Sequence, residues 1–211
     1  MIADAAQSFG AQSGNRMVGC FGDITTTSFF PAKPLGCYGD GGALFTNDEA
    51  LGTVLDSIRN HGKGTDRYDK IRVGLNSRLD TIQAAILLCK LSIFDDEIVQ
   101  RQLVAERYSS ALRDKFQVQK LRSDTHSVWA QYTLCANDRD ELRASLAEAG
   151  IPTAVYYPKP NHLQAPYIGK PIAPNGLANT EYLQERVFSL PMHPYLETDV
   201  QDQIIAVLLN A

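Results

Sequence analysis

Apolar and β-favouring positions come in short runs through the first fifty residues. Met1-Ile2-Ala3 runs directly into the more polar Asp4-Ala5-Ala6-Gln7 and reads as the last residues of a strand. Residues 10–15 are small and polar, which predicts a loop. Residues 22–30 hold Ile24, three consecutive threonines and two phenylalanines, a composition that favours a strand. Gly42-Ala43-Leu44-Phe45-Thr46 predicts another. Short apolar strands of this kind fit a sheet buried on both faces.

The period then lengthens. Asn47-Asp48 is an N-cap signal for a helix to about residue 60, which Gly62 stops. Residues 63–74 are polar and glycine-punctuated, a long loop of the sort that often carries function. Asn76-Ser77-Arg78 opens a helix to about residue 91. Its apolar positions nearly encircle it, which predicts burial on most sides. A longer amphipathic helix over 95–115 carries Ile98, Leu103, Tyr108 and Leu112 on its stripe. Beyond it the pattern predicts a strand over 128–135, a helix over 138–149, a strand over 151–155 and a proline-rich irregular stretch. A helix over 177–186, a strand over 187–190 and a helix over 199–209 follow. This tail reads as a small α+β domain, with the chain divided into 1–100 and 101–211 inside the long helix.

Composition narrows the class. The chain has 211 residues, 44% hydrophobic and 21% charged, with net charge −4. Those values suit a soluble globular protein that buries a core unaided. Mixed charge argues against a nucleic-acid surface and shows no polybasic membrane patch. No apolar run approaches the roughly 20 residues of a membrane span. Cys20, Cys37, Cys89 and Cys135 are widely separated, without metal or thiol-redox spacing, and read as free thiols in a reducing cytoplasm. No metal site is expected.

The candidate chemistry centres on Ser28-Phe29-Phe30-Pro31-Ala32-Lys33-Pro34-Leu35-Gly36, with Gly39-Asp40-Gly41-Gly42 behind it. A lysine between two prolines, behind an apolar strand, has two readings. It snorkels to a solvated surface, or it is desolvated so that its neutral amine attacks a carbonyl. Asp4, at a strand end, either caps a turn or supplies a carboxylate where open α/β sheets bind ligands. Such a carboxylate would pair with a protonated ring nitrogen, the tuning contact of pyridoxal phosphate. Ser28 is an ordinary strand serine or a phosphate ligand. His61 reads as a helix-end histidine or as a base. Trp129 reads as core.

The motifs form an ordered series: Asp-Ala-Ala-Gln from Asp4, Ser-Phe-Phe-Pro-x-Lys ending at Lys33, Gly-Asp-Gly-Gly, and Asn-Ser-Arg-Leu-Asp-x-x-Gln-Ala-Ala from Asn76. The series continues through Tyr156-Tyr157-Pro158-x-Pro160-x-His162-x-Gln164 and Ser189-Leu190-Pro191-Met192. It resembles the sugar aminotransferases of the DegT/DnrJ/EryC1/StrS family from Asp4 nearly to the end of the chain. The stretch around Lys33 is most similar to members acting on UDP-linked 2-acetamido-2-deoxy-3-keto-hexuronic acids for surface polysaccharides such as O-antigen and lipopolysaccharide.

The resemblance implies an α/β fold, the C-terminal portion of the pyridoxal-phosphate-dependent transferase architecture (aspartate aminotransferase, fold type I). That portion would be a partial large-domain sheet plus a small α+β domain. The implied cofactor is pyridoxal 5′-phosphate, and the implied reaction is transamination of a nucleotide-linked keto sugar with glutamate as donor. By the same resemblance Lys33 is the Schiff-base lysine and Asp4 the pyridinium partner. Gln7 lies near the ring, Ser28 binds phosphate, and Asn76 reaches the phosphate of a neighbouring subunit in a homodimer. Arg78, Tyr157 and His162 match substrate-contact positions. Some relatives carry histidine at the lysine position and dehydrate, so Lys33 favours transamination. Full-length relatives have a further segment before the Asp-Ala-Ala-Gln strand, including part of the phosphate cradle. The expectation is therefore a C-terminal part of such an enzyme, or the product of a truncated frame. The alternative function is a non-catalytic fragment that folds or dimerises without cofactor.

Overall fold

A computed structural model describes residues 1–66 and 68–211. The chain divides into two compact units, Met1–Ile98 with Arg122–Ala130, and Val99–Leu121 with Gln131–Ala211.

In the first unit β1 (Ile2–Asp4) leads to two very short strands, β2 (Gln12–Ser13) and β3 (Arg16–Met17), then to β4 (Ile24–Ser28) and β5 (Gly42–Phe45). β1 and β4 are parallel, with Ala3 opposite Thr25 and Asp4 opposite Thr26. β5 runs antiparallel on the other side of β4, with Ser28 opposite Gly42. The sheet is not covered on both faces as its apolar runs suggest. Thr25 and Thr27 are buried, while Ile2 and Leu44 stay exposed. The buried threonine hydroxyls are satisfied locally, Thr25 by the Phe21 carbonyl and Thr27 by the Ala5 carbonyl. The expected loop over 10–15 instead contains β2, which pairs with β3 and with β6 (Thr125–His126). A pairing partner so distant in sequence leaves no local signal.

α1 (Glu49–Arg59) is capped by Asp48, whose carboxylate accepts the Leu51 N–H at 3.0 Å. The predicted loop over 63–74 follows, apart from Arg67, which lies outside the described residues. It folds back on the end of α1: the Leu75 N–H donates to Ile58 and the Ser77 N–H to Arg59. A Cβ on Gly74 would lie 2.0 Å from the Gly62 nitrogen, so the two limbs meet where neither has a side chain. These bonds hold residues 76–80 extended, and α2 starts at Thr81 and runs to Leu91 rather than opening at Asn76. Only Leu87 of α2 is buried. Ile82 and Leu88 are 74% and 69% exposed, which corrects the expectation of burial on most sides. Inside the unit, Phe29, Leu35, Cys37, Leu87 and Phe94 form one core cluster.

The chain passes between units within α3 (Phe94–Leu112). In the second unit the α3 residues Tyr108 and Leu112 are fully buried, but Leu103 of the predicted stripe is 54% exposed. β7 (Tyr132–Cys135), α4 (Arg139–Glu148), α5 (Ala178–Gln184), β8 (Val187–Leu190) and α6 (Thr198–Asn210) complete the chain. β7 and β8 form an antiparallel ribbon with Tyr132 opposite Leu190. β7 begins later than predicted because Trp129, buried in the first unit, adopts a left-handed φ of 46° that ends any strand there. The strand expected over 151–155 is reduced to one bridge, Ala154 to Ser189. Pro152 removes a ladder donor, and the Arg143 guanidinium takes up the Thr153 hydroxyl. Lys115 donates to the Leu208 and Leu209 carbonyls at the end of α6, and Gln201 to the Val104 carbonyl at 2.7 Å.

Candidate active site

Two parallel strands end side by side in the first unit. Asp4 closes β1 and Ser28 closes β4, and the register puts Asp4 opposite Thr26. The carboxyl end of parallel strands is where open α/β sheets hold ligands. The Lys33 loop leaves from that same end. Backbone geometry gives each group a defined chemistry. Asp4 Oδ1 accepts the Ala6 N–H at 3.0 Å, leaving its second oxygen as an acceptor. Ser28 Oγ accepts the Phe30 N–H at 3.2 Å, so its own hydrogen is available to donate. Gln7 is exposed in the turn closed by the Ser8 N–H on the Ala5 carbonyl.

Lys33 is half-buried, at the end of a turn closed by its own N–H on the Phe30 carbonyl at 2.8 Å. The chain returns to the strand at once. The Cys37 N–H donates to the Phe29 carbonyl at 2.8 Å, and the Phe29 N–H to Gly41 at 2.8 Å. The fully buried Cys37 thiol donates toward the Phe29 and Gly39 carbonyls, at 3.0 and 3.1 Å. Gly36 packs against the outgoing limb; a Cβ there would lie 2.6 Å from the Pro31 carbonyl oxygen.

Asn76 and Arg78 are both exposed and line a cavity of about 770 Å³, walled by Thr26, Asp40, Gly42 and Arg59. An isolated bridge to Asn60 fixes the Asn76 backbone. A larger cavity of about 860 Å³, lined by Phe9, Phe45, Phe94 and Ile98 among others, holds none of the predicted site residues. Tyr157 and His162 belong to the second unit. Tyr157 is 66% exposed, with its ring edge-on to Tyr156. His162 Nε2 is 3.0 Å from Glu181 Oε1. His61, weighed as a base, sits exposed at a left-handed φ of 63° just after α1, with its N–H on the Leu75 carbonyl. Sequence reasoning assigned no part to the side chains that shape the lysine loop, Cys37, Gln83 and Lys90. Gln83 is the glutamine of the Asn-Ser-Arg-Leu-Asp-x-x-Gln-Ala-Ala series, and Lys90 follows it seven residues later on α2.

The carboxylate and hydroxyl at paired parallel strand ends, with a lysine in the next turn, put three polar groups where open α/β sheets hold ligands. The chain belongs to the DegT/DnrJ/EryC1/StrS aminotransferase family, whose model matches residues 1–209. That family is pyridoxal-phosphate-dependent. The chain is 48% identical over 211 residues to UDP-2-acetamido-2-deoxy-3-oxo-D-glucuronate aminotransferase of Pseudomonas aeruginosa, covering 100% of this chain and 58% of that protein. A DegT DnrJ EryC1 StrS aminotransferase structure from Brucella abortus superposes with a TM-score of 0.97 at 53% identity, covering 99% of this chain and 56% of that one. DesV of S. venezuelae superposes at 0.94 with 36% identity, covering 99% and 57%. The chain thus spans little more than half the length of the relatives it matches, and its fold is the C-terminal portion of theirs.

Proposed function

We propose that this chain carries the lysine-bearing part of a pyridoxal-phosphate-dependent aminotransferase acting on a UDP-linked keto sugar, with glutamate as amino donor. The reading places it in the cytoplasm, in bacterial surface polysaccharide synthesis. One observation carries the catalytic reading: Asp4 and Ser28 end paired parallel strands, and Lys33 lies in the turn that leaves from that same end. The similarity to a UDP-2-acetamido-2-deoxy-3-oxo-D-glucuronate aminotransferase supports the substrate class.

The donor set fits the cofactor: a carboxylate for a ring nitrogen, a hydroxyl for a phosphate oxygen and an amine for an aldehyde carbon. When bound, pyridoxal phosphate supplies an electron sink for carbanion chemistry. Asp4 would hold the ring-nitrogen proton through its unshared oxygen. Ser28 would donate its hydroxyl hydrogen to phosphate, and Gln7 would lie near the ring. Lys33 would anchor the cofactor through its amine, and that amine is the base available to move a proton at the substrate carbon. Arg78, Tyr157 and His162 would contact substrate. Asn76 would reach the phosphate of a second copy, which would make the working unit a homodimer.

The test is direct. Pyridoxal phosphate added to the purified chain should give visible absorbance, and borohydride should fix the cofactor onto Lys33, located by peptide mass mapping. Lys33→Ala should remove both signals. A chain that stays colourless and unlabelled in excess cofactor would be the non-catalytic fragment instead.

A further inference from the structure

The return limb of the lysine loop is held by α2, through two side chains outside the cofactor's donor set. Lys90 Nζ donates to the Gly36 carbonyl at 2.6 Å and lies 4.8 Å from the centroid of the Tyr38 ring. Gln83 Oε1 accepts the Tyr38 N–H at 2.8 Å. Its Nε2 is the nearest atom to where a Cβ of Gly39 would stand, 3.1 Å away. Gln83, Leu87 and Lys90 follow one another at i, i+4 and i+7, one face of a helix. The middle member of that face, Leu87, is buried in the cluster that also holds Leu35 and Cys37 of the same loop. The polar grips therefore flank an apolar one. One grip is charge-assisted and backed by a cation–π contact, the stronger kind of hydrogen bond.

The loop has two limbs, and only the outgoing one bears Lys33. The outgoing limb is fixed to its strand by the turn from Phe30 to Lys33. The return limb has no regular partner strand between Pro34 and Gly41. Gly36 presses against the Pro31 carbonyl, so a shift of residues 36–38 would push on the segment that carries Lys33. We infer that Gln83 and Lys90 are positioning residues for Lys33: by holding residues 36–38 on α2 they set how far the lysine amine reaches over the strand ends. This rests on the cofactor reading of Lys33, and two independent readouts separate the two claims.

The first readout needs no cofactor. Amide hydrogen exchange at Tyr38 should quicken about tenfold in Gln83→Met, the scale of one lost hydrogen bond. Unchanged exchange in a folded variant overturns the inference whatever the cofactor does.

The second readout compares covalent with non-covalent binding. Borohydride-fixed pyridoxal phosphate on Lys33 should form about tenfold more slowly in Lys90→Met. Affinity for 4-deoxypyridoxine 5′-phosphate, which lacks the aldehyde, should be unchanged. Lys90→Arg, which keeps a cationic donor, should restore the rate. Equal loss of both ligands would make Lys90 merely structural, and so would a slow Lys90→Arg variant; equal trapping by wild type and Lys90→Met would also refute the inference. Failure of the wild-type chain to trap pyridoxal phosphate sinks the cofactor reading alone, and the exchange experiment then decides the grip.

Discussion

Among the described residues, eight of the eleven largest fully buried side chains belong to the second unit: Tyr108, Leu112, Tyr132, Leu134, Leu146, Phe188, Ile204 and Leu208. The first unit contributes Thr25, Cys37 and Val128. The first unit also leaves Ile2, Leu44, Leu75, Ile82 and Leu88 more than half exposed. The two regions differ in how much apolar surface they close over. The second is an apolar core whose buried hydroxyls are paired, Tyr108 to the Pro191 carbonyl and Tyr132 to Ser109. In the first, backbone hydrogen bonds fold loops back onto strand and helix ends, as at Phe29–Gly41 and Ile58–Leu75. Apolar burial is non-directional and tolerates small shifts, whereas hydrogen-bonded loops hold named atoms at named places. The residues proposed to bear the cofactor lie on the second kind of support.

The largest expected difference comes from emptying the closed core. Phe188→Ala should cost about 3–5 kcal/mol, the usual cost of deleting a buried phenyl ring, read as a lowered midpoint in urea. A loss under about 1 kcal/mol would mean that the second unit is not held by its core.

Alkaline pH should sharpen the contrast next. Burial raises the Tyr108 hydroxyl above its ordinary 10, with Tyr132 nearby adding to the shift. Burial raises Tyr132 as well, partly offset by the Ser109 hydrogen bond. The folded state therefore keeps protons that the unfolded chain releases. The stabilisation is complete below pH 10 and is lost as pH rises above it. Phenolate absorbance from these two side chains should appear together with loss of tertiary circular dichroism. Phenolate appearing in a still-folded protein would contradict the closed core.

The smallest effect is expected on the open face of α2. Leu88→Ser should change stability by no more than about 0.5 kcal/mol, because the side chain is already in water. A loss several times larger, concentration-dependent in denaturation, would reveal that another surface covers it.

Much of the element order was legible because its signals are local. Asp48 before α1, the threonine run of β4 and Gly150 after α4 depend on propensity and capping within a few residues. The start of α2 was not legible, since Ser77 spends its N–H on Arg59 rather than on a helix. Nor was the hairpin at Gln12, whose second partner is at Thr125–His126. The exposure of Ile82 and Leu88 was likewise invisible, because periodicity says that a face is apolar and not what covers it.

By itself the sequence determined which chemical groups are available and in what order: a carboxylate at Asp4, a hydroxyl at Ser28 and an amine at Lys33. Only the tertiary structure decided that Asp4 and Ser28 end neighbouring parallel strands, and that Gln83 and Lys90 of α2 grip the loop between Lys33 and Gly41. Those facts depend on strand register and on hydrogen bonds between residues dozens of positions apart, and no local pattern of side chains encodes either.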